Sequence, residues 1–353
     1  MHDTSTTQHK SRNARFIPFF LVLVLAIGIG FAIKHFLSRN TTSNEYQFEV
    51  YFSDAFTGQD SGFLEKLLVN KLRLADVSID AAIHQLNSSP VAAELIKAHN
   101  RGIRVRVFTE NRYVEEKDIT QLQSAGIPVK DDANEDGLMH HKFIVIDERY
   151  VWTGSYNITY NGAYKNDNNV IWIDSVPLAN NFTNEFRSLY LSEQFNQSNT
   201  SYVPYPTITL NDGTEITTLF SPKSETILPL IDEINDAKKS IDFMAFSYTH
   251  DKLGKAMMDK FKSGITVRGV FDEKQVTRHS EYAKMEEIGM PVKIDESPGT
   301  MHHKVIIIDE KTVVTGSYNF SKNAETNNSE NLLIIKNNKD IGKAYVEEFK
   351  RLY

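Results

Sequence analysis

MHHKFIVIDERYVWTGSYN, residues 139–157, and MHHKVIIIDEKTVVTGSYN, residues 301–319, are two readings of one pattern, H-x-K-x4-D-x6-G-S-x-N. The first places His140, Lys142, Asp147, Gly154, Ser155 and Asn157; the second places His302, Lys304, Asp309, Gly316, Ser317 and Asn319. Working outward, the same offset of 162 relates Ser78-Ile79-Asp80 to Ser240-Ile241-Asp242 and Gly102-Ile103-Arg104-Val105-Arg106 to Gly264-Ile265-Thr266-Val267-Arg268. It slips to 163 between Gly126-Ile127-Pro128-Val129-Lys130 and Gly289-Met290-Pro291-Val292-Lys293. Near-constant register over this distance means that the chain is an internal duplication.

Each copy alternates β-rich runs with helical stretches. VSIDAAI, PVAAELIKAHNRG and IRVRVF read as strand, helix and strand, and SIDFMAF, KLGKAMMDKFKSG and ITVRGVF repeat the order. Strands joined through helices imply βαβ crossovers and sheets covered on both faces. The expectation is an α/β body of two pseudo-symmetric halves, residues 46–200 and 214–353, each a mixed, mostly parallel sheet flanked by helices. The turn-rich stretch SNTSYVPYPTITLNDG, Ser198–Gly213, would join them.

The β-branched runs HHKFIVID and HHKVIIID read as strands, in which alternate side chains share a face. His140 then points with Lys142 and His302 with Lys304, while His141 and His303 point the other way and take structural roles. An imidazole beside an ammonium suits an anionic phosphodiester: the ring attacks phosphorus and the ammonium offsets charge on the non-bridging oxygens. The G-S-x-N segments add a tight turn, with Ser155, Asn157, Ser317 and Asn319 as hydroxyl and amide donors to the same oxygens. Two such strands brought together by pseudo-two-fold symmetry set a nucleophile and a general acid on opposite sides of one phosphorus. The candidate catalytic set is His140, Lys142, Asp147, His302, Lys304 and Asp309, with the two aspartates read as orienting or folding residues. Adjacent strand histidines diverge and cannot chelate one ion, so neither a metal nor any other cofactor is expected.

The paired motifs resemble those of the phospholipase D superfamily, over roughly residues 46–353, and the second copy is similar to the small bacterial endonucleases of that superfamily. The resemblance implies a two-step double displacement through a phosphohistidine, with one chain sufficient for one active site. It also implies an acid about 28 residues after the second histidine, a place held by Glu330, which would support the histidine of the opposite half. His140 would then be the nucleophile and His302 the general acid. The first copy carries Asn168 at the corresponding place, with Asp167 one register off. The leading functional reading is a phosphodiesterase hydrolysing or transferring phospholipid head groups. The alternative is an exported, metal-independent endonuclease acting on DNA or RNA; a cardiolipin-synthase-like transferase and a non-catalytic scaffold rank lower.

Composition bounds these readings. The 353 residues are 41% hydrophobic and 24% charged, enough for a globular core, and the absence of cysteine excludes disulfides, thiolate metal sites and cysteine nucleophiles. Residues 1–39 carry a local +4, which leaves the rest of the chain at −11 against −7 for the whole. That sign argues mildly against bulk polynucleotide binding. Phe16–Ile33 is an uncharged apolar run of 18 residues, just long enough to span a bilayer. It is read as an uncleaved anchor over 16–37, with a cleaved signal peptide ending near Gly30-Phe31-Ala32 as the competing reading. Residues 1–15 form a tail and 38–45 a polar stalk. Lys10, Arg12 and Arg15 precede the run and Lys34 and Arg39 follow it, so the tail is expected in the cytoplasm and the catalytic part outside it. Glycosylation sequons at Asn157-Ile158-Thr159 and Asn319-Phe320-Ser321, inside the motifs, fit a bacterial source better than a eukaryotic secretory one.

Overall fold

The computed structural model describes residues 48–54, 62–133, 136–191 and 202–353; the apolar run and the stalk lie outside these. Among the described residues no helix is long and apolar enough to cross a membrane.

Two sheets dominate. The first runs in the order Phe48–Phe52, Asn169–Asp174, Tyr150–Gly154, Lys142–Ile146, Ser78–Ile83, Arg104–Thr109, Val129–Asp131. The second repeats it as Glu215–Ser221, Glu330–Lys336, Thr312–Gly316, Lys304–Ile308, Ser240–Ala245, Thr266–Phe271, Val292–Ile294, with Thr207–Thr209 added at the edge. The second sheet thus begins inside the stretch expected to be a junction. The helices Ser89–Asn100 and Asp251–Lys262 make the expected crossovers, and the strands on either side of each are parallel.

The expectation of mostly parallel sheets is corrected. Only the pairings from Ser78–Ile83 through Val129–Asp131, and their counterparts, are parallel; every other pairing in both sheets is antiparallel. The cause is local. After Ile146 and Ile308 the chain reverses within a tight turn whose two central residues are left-handed, Asp147 (φ 56°) and Glu148 (φ 50°), then Asp309 (φ 51°) and Glu310 (φ 58°). A positive φ at both centres matches the right-handed twist of a hairpin, so the H-x-K strand folds straight back on itself.

The halves share a core. Phe143 and Val145 from one sheet and Val305 and Ile307 from the other pack with Phe182 and Phe186 of the helix Val176–Leu191 and Tyr345 and Phe349 of the helix Lys339–Leu352. Each sheet's other face has its own apolar cluster under its own helices. Arg106 grips Asp80 through two 2.8 Å hydrogen bonds and lies 5.0 Å over the Phe186 ring. Arg268 repeats this with Asp242 and Phe349. A guanidinium that pairs with one sheet carboxylate while covering a helix ring fixes each inner helix on its own sheet.

Candidate active site

The residues leading into each H-x-K strand are held by the opposite half. Thr300–Met301 pairs in parallel with Asn166–Asp167, and Met139 bridges Ser329. The His302 amide donates to the Asp167 carbonyl and the His140 amide to the Ser329 carbonyl, both at 2.9 Å. Carboxylates on the strand-end loops of each motif's own half hold the preceding residue: Met139 N–H donates to Glu110 and Met301 N–H to Asp272. Both histidines are buried, at 7% and 5% exposure.

The ring nitrogens then differ. His140 Nδ1 lies 2.7 Å from Glu330 Oε2, across the halves, as the superfamily resemblance implied. Glu330 also accepts from the Ser317 hydroxyl at 2.6 Å and from the Asn328 amide. His302 Nδ1 instead faces two neutral acceptors of the first half, the Ser155 carbonyl at 2.9 Å and Asn168 Oδ1 at 3.0 Å. The Asn168 amide nitrogen donates to Gly162 and Asn166 carbonyls, which fixes its oxygen toward the ring. In both cases Nδ1 carries the anchored proton and Nε2 keeps its lone pair.

Lys142 and Lys304 are also buried, each donating to the carbonyl of the histidine two residues earlier, at 2.8 and 2.7 Å. Burial lowers Lys142 to about 7, with Glu330 opposing the shift. Burial, then the Lys142 charge, carries Lys304 well below its usual value. His140 is lowered by burial and then by Lys142 and Lys304; His302 is lowered by burial and then by Lys304 and Lys142. Burial raises Glu330 to about 7, against the pull of Lys142. Two lysines and two imidazoles crowded into a buried site around Glu330 are short of negative charge, which a phosphodiester supplies.

Asp147 and Asp309 have the folding role read for them, and their place in the catalytic set is corrected. They sit in the hairpin turns at the far ends of their strands, seven residues from the histidines, or about 20 Å at strand rise. Asp147 accepts the amides of Asp76, Val77 and Ser78 at 2.8–2.9 Å, and Asp309 those of Lys238, Lys239 and Ser240. They fold the sheet end. Ser155 and Ser317 are corrected as phosphate donors: both are fully buried and donate to Asn168 and Glu330, so they brace the supports of the opposite histidines. Asn157 and Asn319 are half-buried, and their buried Oδ1 atoms have no partner among the described residues.

The glycine before each serine has a steric cause. Gly154 and Gly316 have φ of 151° and 152°, and a Cβ there would come within 2.2 Å of the Asn169 and Asn331 carbonyls. Only glycine lets the turn press against the strand that carries the support residue.

The sequence reading missed the partners of the second histidines. His303 lies between Glu348, at 2.9 Å, and Asn169, at 3.1 Å; His141 lies more loosely between Glu185 and Asn331, both at 3.4 Å. Asn169 and Asn331 donate to Thr315 and Thr153 of the opposite half. The repeat offset would have paired Asn169 with Asn331, and Glu185 with Glu348 after its one-residue slip. His84 and Phe246, whose rings lie 4.9 Å from His140 and 4.7 Å from His302, carry no motif signal.

Residues 68–190 and 230–353 each match the family described as cardiolipin synthase, PLD-like domain. A phospholipase D of Rickettsia prowazekii is 29% identical over 165 residues, 46% of this chain and 80% of that protein. The mitochondrial cardiolipin hydrolase of Homo sapiens is 32% identical over 134 residues, 37% of this chain and 53% of that protein. The phosphatidylserine synthase of Haemophilus influenzae shares the fold, with a TM-score of 0.65 over 86% of both chains at 14% identity. With the doubled motif and cross-braced histidines, these matches place the chain in the phospholipase D superfamily. It is an enzyme of that superfamily, with the phosphodiesterase chemistry the superfamily shares.

Proposed function

We propose that this enzyme hydrolyses or transfers phospholipid head groups through a phosphohistidine on His140, close to a membrane to which residues 16–37 tether it. The observation that carries the mechanism is the unequal support of the two rings. Ionised Glu330 stabilises positive charge developing on His140 as Nε2 attacks phosphorus, whereas His302 has only neutral acceptors and gives its proton up more readily.

Binding of the anionic diester raises His302, which takes up a proton at Nε2; in the first step the His140 Nε2 lone pair then forms a bond to phosphorus, the bond to the leaving oxygen breaks, and His302 Nε2–H protonates that oxygen and returns to its neutral form. In the second step neutral His302 takes a proton from water, or from an acceptor alcohol, whose oxygen displaces His140 Nε2 from phosphorus. Lys142 and Lys304, recharged by the bound anion, offset charge on the non-bridging oxygens. The lipid reading is supported by the family description, by the names of the relatives and by the apolar N-terminal run.

The test is head-group release from phosphatidylcholine, phosphatidylglycerol and cardiolipin vesicles by the detergent-solubilised full chain in EDTA, beside single- and double-stranded DNA. Release from lipid with DNA left intact is expected. Cleaved DNA beside untouched lipid would overturn the lipid reading.

A further inference from the structure

The two halves differ in charge at the hairpin that ends each H-x-K strand. Around Asp309 the exposed side chains of Lys238, Lys239, Lys311, Lys339, Lys343 and Lys350 line one groove of about 700 Å³. Lys339, Lys343 and Lys350 follow one another at four and seven residues along a helix, and so share a face of it. Asp309, Glu310 and Glu347 also line the groove, but Asp309 is taken up by backbone amides and Glu347 by Lys350, at 3.0 Å. Among the described residues the other five lysines make no ion pair.

The first half shows that the fold does not require them. At the corresponding places, 162 residues earlier around the turn and 163 along the helix, it has Asp76, Val77, Arg149, Val176, Asn180 and Arg187. Its two cations are paired within the fold: Arg149 grips Asp174 through two 2.7 Å hydrogen bonds, and Arg187 meets Glu148 at 2.8 Å. Five unpaired ammonium groups gathered on a chain of net charge −7 repel one another unless an external anion joins them. No aromatic ring lines the groove, so the bases of a single-stranded nucleic acid would have nothing to stack on. Lysines spaced along one face act as separate point charges, which suits a plane of many phosphates better than a bidentate grip on one.

We propose that this groove is a docking surface for the phosphates of anionic phospholipids in a membrane, separate from the site of turnover. It rests on the membrane part of the functional proposal. The groove lies at the Asp309 end of its strand, away from His302. The first described strand enters the other sheet at the matching end, with Phe48 opposite Ile173, and the proposed tether joins the body through it.

The test is lysine acetylation of the full chain reconstituted into phosphatidylcholine vesicles with and without phosphatidylglycerol, read residue by residue by mass spectrometry. Phosphatidylglycerol should slow acetylation in the groove by about fivefold, the worth of roughly one lysine beside an anionic surface, and high salt should remove the effect. The exposed Lys66 and Lys117 of the first half should react equally in both vesicles. In a variant combining Lys238→Gln, Lys239→Gln, Lys339→Gln and Lys343→Gln, Lys311 should lose its protection while turnover of a soluble p-nitrophenyl diester stays at the wild-type rate. Equal acetylation of the groove in both vesicles, protection shared by Lys66 and Lys117, or the same protection from inorganic phosphate beside phosphatidylcholine alone would overturn the proposal. Head-group release is scored separately: protection without release leaves the docking surface standing and removes lipid as the substrate, and release without protection does the reverse.

Discussion

Glu330 and Asn168 stand at corresponding places in the two halves, and the difference between a carboxylate and a carboxamide separates the roles of two otherwise similar histidines. Replacing Glu330 with Gln preserves the shape of the contact and removes its charge, so kcat should fall by about 10²–10⁴-fold with little change in KM or circular dichroism. The pH profile follows from the same groups. Below about 7 Glu330 takes a proton and loses the charge that stabilises the His140 ring, so activity rises as it ionises. Above about 7 Lys142 loses the charge that meets the phosphate, so activity falls. The kcat/KM profile should therefore be a narrow bell near pH 7, and Glu330→Gln should remove its acid limb. A plateau from pH 5 to pH 9, on the scale of about one decade per unit for each limb, would contradict this assignment.

The hairpin turns set how the elements meet. Asp309 is buried enough for desolvation to push its carboxyl up, but the amides of Ser240, Lys238 and Lys239 outweigh this and leave it below its usual value. A carboxyl with a lowered folded pKa stabilises above its unfolded pKa, and that contribution is lost as pH falls through the folded value. Asp309→Ala should lower stability by about 1–3 kcal/mol in urea melts at neutral pH, by less in acid, and change kcat little. A large loss of kcat in a folded variant would return Asp309 to the chemistry. At this scale the sequence was partly legible. The β-branched runs marked the H-x-K strands, and the crossover helices announced the parallel pairings. The hairpins were hidden because Asp-Glu lacks the Asn-Gly or Asp-Gly signature of such turns, and the sheets were consequently expected to be more parallel than they are. The supports Glu185 and Glu348 were hidden too, since a buried glutamate on an amphipathic helix looks like any other in sequence.

Across the whole molecule, duplication produces one site instead of two. Met139 bridges Ser329, Met301 pairs with Asp167, Glu330 supports His140 and Asn168 supports His302, so the hydrogen bonds to Nδ1 of both reactive rings cross between halves. The shared core, with Phe182 and Phe349 at 0% exposure, holds the halves in that register. The single site and the reach of Glu330 to His140 were visible in the repeat and in the superfamily resemblance; the backbone bridges were not, and neither was His84, because its departure from Phe246 follows no motif. The central claim is a single site in which His140 takes the phosphoryl group and His302 handles the proton. The direct measurement is to trap acid-labile, base-stable phosphoryl label on protein denatured during turnover of a p-nitrophenyl diester, and to locate it by peptide mapping. The label should lie on the peptide containing His140, persist in His302→Ala, whose p-nitrophenolate leaving group needs no proton, and be absent from His140→Ala. Label on both histidines in the wild type, or label surviving in His140→Ala, would contradict the account.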